Sequence, residues 1–293
     1  MGALMEVELV LDAHAEVGEG PAWDPASTRL VWVDITRSQV HLFDPSTASD
    51  ISFDVGEHVG AAAPRAAGGL VLALRGGFGV LDLQTGGVEA IADTEASNPK
   101  NRMNDGKCDR AGRFWAGSMS YAETGNEGSL YRLEHDHSVV RVLSGVGLSN
   151  GLGWSPDDRL MYHVDSLAAT VYVHDFDLES GSIANRRPLI EVTEGHGTPD
   201  GMTVDAEGCL WVAFWGGGAV RRYAPDGSLL QEVGLPVRQV SCCAFGGSDQ
   251  GDLYITTASR GLSEQELREQ PAAGGLFRFR PGVTGPPAHP YLD

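Results

Sequence analysis

An apolar segment rich in Val, Trp and Tyr recurs six times along the chain. The copies are LVWVD (Leu30 to Asp34), LVLAL (Leu70 to Leu74), RFWAG (Arg113 to Gly117), LMYHVD (Leu160 to Asp165), CLWVAF (Cys209 to Phe214) and DLYITT (Asp252 to Thr257). Before them stand DPASTR, RAAGG, DRAGR, SPDDR, DAEG and GSDQG, turns of the kind that join antiparallel neighbours. A third strand follows each copy: QVHLFD, FGVLDL, GSLYRL, TVYVHDFD, AVRRYAPDG and GGLFRFR. Five of these lead into a fourth: ISFDV, GVEAIA, SVVRVL, RPLIEV and LLQEVGLP. The sixth leads into PGVTGPPAHPYLD, too rich in proline for a central strand.

A repeat of this period is the signature of an array of supersecondary units. Six units of four strands make an all-β, six-bladed β-propeller, expected over residues 1–293 as a single domain. The missing strand has a candidate at the other end of the chain, Glu6 to Asp12, which would complete the last blade and leave no open sheet edge. A β-sandwich or a two-domain chain explains neither the six copies nor the displaced strand. One insertion departs from the repeat, Ala258 to Gly274, where SEQELREQ carries a capping box for a short helix.

Charge narrows the partners. Against 40 Asp and Glu stand 21 Lys and Arg, a net charge of −19, which argues against nucleic acid or an anionic membrane as the main partner. No apolar run approaches the roughly 18 residues of a membrane span. The first residues lack the pattern of a signal peptide, so the cytoplasm is the expected location. The four cysteines form no CxxC pair, and a disulfide framework is not expected. The sequence is neutral between a monomer and a small homo-oligomer.

The first strand of a propeller blade lines the central channel. Aligning the units places Glu19, Gly60, Asn104, Asn150, Asp200 and Ser241 at its start, 41 to 50 residues apart. Four residues further on lie Trp23, Pro64, Cys108, Trp154, Val204 and Phe245, expected as packing positions. Equivalent positions of a ring converge on its axis, so two carboxylates and two amide carbonyls would meet at the channel mouth. Gathered carboxylates repel and desolvate badly, and a bound divalent cation compensates them. Oxygen donors suit Ca²⁺, Mg²⁺ or Mn²⁺, with Zn²⁺ also accommodated. Taken singly, Asn150-Gly151 and Asp200-Gly201 also read as plain turns.

Other residues stand near this ring. Arg102 precedes Asn104 by two, so strand alternation points both to one side, where the guanidinium could hold hydroxyls or a carbonyl. An interblade salt bridge is the alternative. Glu123, in the loop SYAETGNEG, could reach the rim or remain an exposed loop acid. Lys107 is expected to face away or to pair with an acid. His163, beside Asp165, reads first as a structural hydrogen-bonding residue. No GxSxG or dinucleotide fingerprint appears.

At these residues the sequence resembles the SMP-30/gluconolactonase/luciferin-regenerating-enzyme (regucalcin-like) family. The carriers are GEGPAWD from Gly18, RMNDGKCDRAGRFWAGSM from Arg102, SNGLGWSPDDRLMYHVDS from Ser149, NRRPL from Asn185 and PDGMTVDAEGCLWVAFWGGG from Pro199. The resemblance implies a six-bladed propeller with one divalent cation (Ca, Zn, Mn, Mg or Fe) held by Glu19, Asn150 and Asp200. It implies substrate contacts at Arg102 and Asn104, and a catalytic acid/base at Asp200. The family's rim glutamate aligns with Ala122, with Glu123 beside it. The implied activity is hydrolysis of a small sugar lactone to its aldonic acid. Two rivals share the fold and the cation: a hydrolase of aryl esters or organophosphates, walled by Trp115, Phe214, Trp215 and Phe78, and a calcium-binding regulatory protein without turnover.

Overall fold

Each of the six apolar segments is the second strand of a four-stranded antiparallel sheet. The computed structural model describes residues 7–293. Blade one is typical, running through Gly18–Asp24, Arg29–Asp34, Gln39–Asp44 and Ser49–Asp54, from the axis to the rim. Its second strand is buried on both faces: Val31, Trp32 and Val33 are sealed from solvent. Neighbouring blades cover those faces, which is why these strands read as continuous apolar runs instead of alternating ones. The outermost strand, Ser49–Asp54, is largely exposed and polar. Burial of each such Val or Leu contributes about 1.5–3 kcal/mol.

The sixth blade is completed from the other end of the chain. Glu8–Leu11 pairs antiparallel with Leu276–Phe279 through Glu8 with Arg278 and Leu9 with Phe277. An ion pair of 2.7 Å between the Glu8 carboxylate and Arg278 Nη2 reinforces the seam. The closing strand is shorter than expected: Val7 and Asp12 lie outside it, and Glu6 falls outside the described residues.

The proline-rich tail forms no strand and crosses the opposite end of the ring. Its Tyr291 is fully buried; the Tyr291 N–H donates to Pro64 O at 2.8 Å and the phenol to Glu134 O at 2.6 Å. The tail thereby ties blade two to blade three. The insertion carries the expected short helix, Glu264–Glu269, with both halves of its capping box on Ser263 and Glu266. All four cysteines are free. Among the described residues no helix is long and apolar enough to cross a membrane.

One irregularity repeats in every blade. The register between the first and second strands breaks between Glu19 and Ala22, Val59 and Ala61, Met103 and Gly106, Ser149 and Leu152, Pro199 and Met202, and Val240 and Cys242. These are bulges at one height of the channel, and a bulge re-aims the side chains within it. Asn150-Gly151 and Asp200-Gly201 therefore lie inside strands and are not turns. Gly201 is required by close approach: a Cβ there would run into the Cys242 side chain of the next blade. Gly60 likewise leaves no room beside the Asn104 backbone. Further down, Trp23, Pro64, Cys108, Trp154, Val204 and Phe245 line one largely apolar cavity of about 130 Å³ at the tail end.

Candidate active site

Glu19, Arg102, Asn104, Glu123, Asn150 and Asp200 all line a single pocket of about 380 Å³ at the mouth of the channel. Asn104, Asn150 and Asp200 lie within their blades' bulges, and Glu19 is the paired residue just before its own. Glu19, Arg102, Asn104, Asn150 and Asp200 are each 4–6% exposed. Glu123 stands apart from them on the exposed rim, in the left-handed region at φ 51°, with its N–H bonded to Ser120 O.

A directional chain of hydrogen bonds fixes the amides. Arg102 Nη1 donates to Asn104 Oδ1 at 2.6 Å and to Met103 O at 3.0 Å. Asn104 Nδ2 donates to Asn150 Oδ1 at 3.0 Å and to Ser149 O at 2.9 Å. Asn150 Nδ2 donates to Ser166 Oγ at 2.9 Å, and that hydroxyl donates to Pro199 O at 2.7 Å. The Ser149 and Pro199 carbonyls anchor the direction of the chain: flipping Asn104 would set its Oδ1 against Ser149 O, and flipping Asn150 would set its Nδ2 against Asn104 Nδ2. Asn150 Oδ1 accepts one bond and keeps a lone pair. Arg102 and Asn104 do share one side, bonded to each other across the start of the bulge, and among the described residues Arg102 makes no salt bridge.

Three buried carboxylates gather here: Glu19 and Asp200 line the pocket, and an Asp105 oxygen lies within 4.8 Å of one of Glu19. Glu19 Oε2 accepts from Gly20 N–H at 2.8 Å. Burial, followed by the nearby Asp105 carboxylate, pushes the Glu19 carboxyl up to about 8. Asp200 is held well above the usual carboxylate range by burial, then by Glu19 and Asp105. Asp105 is raised by burial, opposed by Lys107 and by the Gly106 N–H. Among the described residues none of the three carboxylates has an ion-pair partner within 4.0 Å. Converging carboxylate and amide oxygens, with the Arg102 and Lys107 cations near but not ion-paired to them, are the donor set of a hard divalent cation. The residues present fit such an ion.

Sequence reading missed several of these residues. Asp105 is missed by a one-residue-per-blade alignment, because the bulge after Met103 holds both Asn104 and Asp105. Its signal was present in the Asn-Asp-Gly run. Ser166 and Trp215, at the ends of second strands, Gln239, just before the first strand of blade six, and Arg260, in the insertion, also line the pocket. Lys107 donates from Nζ to Met202 O at 2.7 Å. His163 is structural, as expected, with Nε2 and Ser149 Oγ 2.8 Å apart. The apolar wall expected for an aryl ester or organophosphate site is corrected: Trp115, Phe214 and Phe78 are sealed within the blade packing, and only Trp215 reaches the pocket. They are second- and third-strand residues, whose faces the adjoining blades cover.

The fold and the site together define a six-bladed propeller with an oxygen-rich, buried anionic centre at its channel mouth. The sequence model of the SMP-30/Gluconolactonase/LRE-like region matches residues 17–259, and the chain belongs to that family. It is 42% identical over 291 residues to regucalcin of Danio rerio, covering 98% of each chain. It is 39% identical over 274 residues to a putative sugar lactone lactonase, YvrE, of Bacillus subtilis (strain 168), covering 93% of this chain and 94% of that one. A crystal structure of a calcium-binding protein, regucalcin, from Agrobacterium tumefaciens superposes with a TM-score of 0.93 at 28% identity, over 98% of this chain and 97% of that one.

Proposed function

We propose that the protein is a metal-dependent sugar lactonase that opens an aldono-1,4- or 1,5-lactone to its aldonic acid. The observation that carries this reading is the meeting of Glu19, Asn150 and Asp200 with Arg102 and Asn104 in one pocket. Likeness to the Bacillus protein described as a putative sugar lactone lactonase supports the reaction class, and likeness to the calcium-binding structure supports a divalent cation.

Glu19, Asn150 and Asp200 would hold the cation. When bound it supplies Lewis-acid polarisation of the lactone carbonyl and stabilises the developing oxyanion. Asp200 takes a proton from the attacking water and returns it to the ring oxygen as the acyl bond breaks. Arg102 and Asn104, held in register by their mutual bond, orient the ring hydroxyls. Glu123 adds a rim contact to the same sugar.

The test is acid release from a panel of aldonolactones, with spontaneous opening subtracted. The protein is assayed metal-stripped and with Ca²⁺, Zn²⁺, Mn²⁺, Mg²⁺ or Fe²⁺ restored. Turnover that returns only with a cation supports the reading. Tight cation binding with no turnover on any lactone overturns it in favour of a binding protein.

A further inference from the structure

Asp105 is 3% exposed, and its Oδ2 atom is buried without any hydrogen-bond partner. Its Oδ1 atom accepts from Gly106 N–H at 2.7 Å. A carboxylate oxygen of Asp105, one of Glu19 and the Cys242 sulfur all lie within 4.8 Å of one another. An orphaned buried carboxylate oxygen costs several kcal/mol unless something positive faces it. Asp105 carries no ion pair among the described residues, although the Lys107 ammonium, bonded to Met202 O, lies close enough to oppose its upward shift. Ligand oxygens on opposite sides of one Ca²⁺ ion, each at 2.3–2.6 Å from it, stand about 5 Å apart. The Glu19 to Asp105 spacing is within that reach.

We infer that Asp105 is the inner-side carboxylate of the cation centre, adding a third negative charge below the ion that Glu19, Asn150 and Asp200 hold from the pocket side. The inference rests on the cation-binding part of the proposed function and not on the lactonase chemistry. The bulge explains the placement, since it holds two consecutive residues between the register positions of Met103 and Gly106. Asn104 faces Asn150, and Asp105 faces Glu19. Lys107, two residues on, limits the net charge of the cavity. Burial and then the same carboxylates push the Cys242 thiol well above the ordinary thiol range in the cation-free protein.

The test is calorimetric titration of the metal-stripped protein with Ca²⁺, Mn²⁺ and Zn²⁺ alone. It is applied to wild type, Asp105→Asn and Lys107→Met, with melting temperatures recorded for the cation-free proteins. Expected is a 10- to 100-fold loss of affinity in Asp105→Asn, the usual scale for a residue supporting a metal site. Its cation-free melting temperature should be unchanged or higher, because a buried, unpaired carboxylate is removed. Lys107→Met should shift affinity the opposite way. A residue with only a structural role would lower the melting temperature and leave affinity alone, and that result overturns the inference. If Asp105→Asn does not fold, Lys107→Met decides: unchanged affinity there overturns it as well. Wild type that binds none of the three ions overturns both this inference and the cation-dependent function. Unchanged Asp105→Asn affinity beside a tightly binding wild type overturns this inference alone.

Discussion

Asn104 Nδ2 donates to Asn150 Oδ1 at 3.0 Å across the boundary between blades three and four. That bond joins a residue proposed to touch substrate to one proposed to hold the cation. The next link is Ser166 Oγ, which accepts from Asn150 and donates to Pro199 O beside Asp200. Substitution of Ser166 by Ala removes both interactions without touching any proposed ligand. Expected is a roughly 10-fold weaker cation, as for other groups that orient a ligand. The accompanying stability loss is about 1–3 kcal/mol for the unsatisfied buried amide. Calorimetric titration and urea unfolding read the two effects; unchanged affinity would contradict the relay.

Cation binding should depend on pH. Burial and the Asp105 carboxylate keep Glu19 protonated to about pH 8 in the cation-free protein, and Asp200 is displaced upward for similar reasons. A cation binds the ionised forms, so protons leave as it enters. Affinity is expected to climb as pH rises toward about 8. Titration in buffers of different ionisation enthalpy should detect released protons. Affinity independent of pH below that value would rule the mechanism out.

Acid should weaken the fold through a different pair. Burial depresses His163 to about 3 and His174 to about 4. In the unfolded chain both titrate near 6.5, so that state binds more protons in the interval between. Stability is therefore lost as pH falls from about 6.5 toward 3–4, by at most about 1.4 kcal/mol per pH unit for each histidine. Urea unfolding at stepped pH checks this, and His163→Gln should make the dependence shallower. The same slope in that variant would show that His163 does not carry it.

The tail should matter for stability and not for chemistry. Tyr291 is fully buried between blades two and three, while the proposed site opens at the other end of the channel. Tyr291→Ala is expected to cost about 3–5 kcal/mol, the range for emptying a large aromatic site. Its kcat/KM, measured well below the lowered melting temperature, should stay near wild type. A large loss of kcat/KM in folded protein would mean that the tail reaches the site.

Much of this arrangement was legible in the sequence because burial on both faces leaves a continuous apolar run. LVWVD and its relatives marked the second strands, and phase alone then placed Glu19, Asn104, Asn150 and Asp200 at one height. The closing strand was legible from counting, since five blades had a fourth strand and the sixth did not. Asp105 was hidden because a bulge suspends the two-residue alternation on which strand reading depends. Ser166 and Gln239 were hidden because they meet the site only through contacts between blades, which local sequence does not encode. The rival wall of Trp115, Phe214 and Phe78 failed for the converse reason: aromatic residues in a doubly covered strand pack between sheets.

In the proposed reaction Asp200 moves the proton. The most direct measurement is the steady-state rate of acid release by Asp200→Asn, at saturating cation, on the lactone that wild type turns over fastest. Asparagine keeps an oxygen for the cation but cannot accept the proton. The account predicts a fall in kcat of about 10²–10⁴ while cation binding stays measurable. A kcat within a few-fold of wild type would show that another group activates the water and would contradict the account.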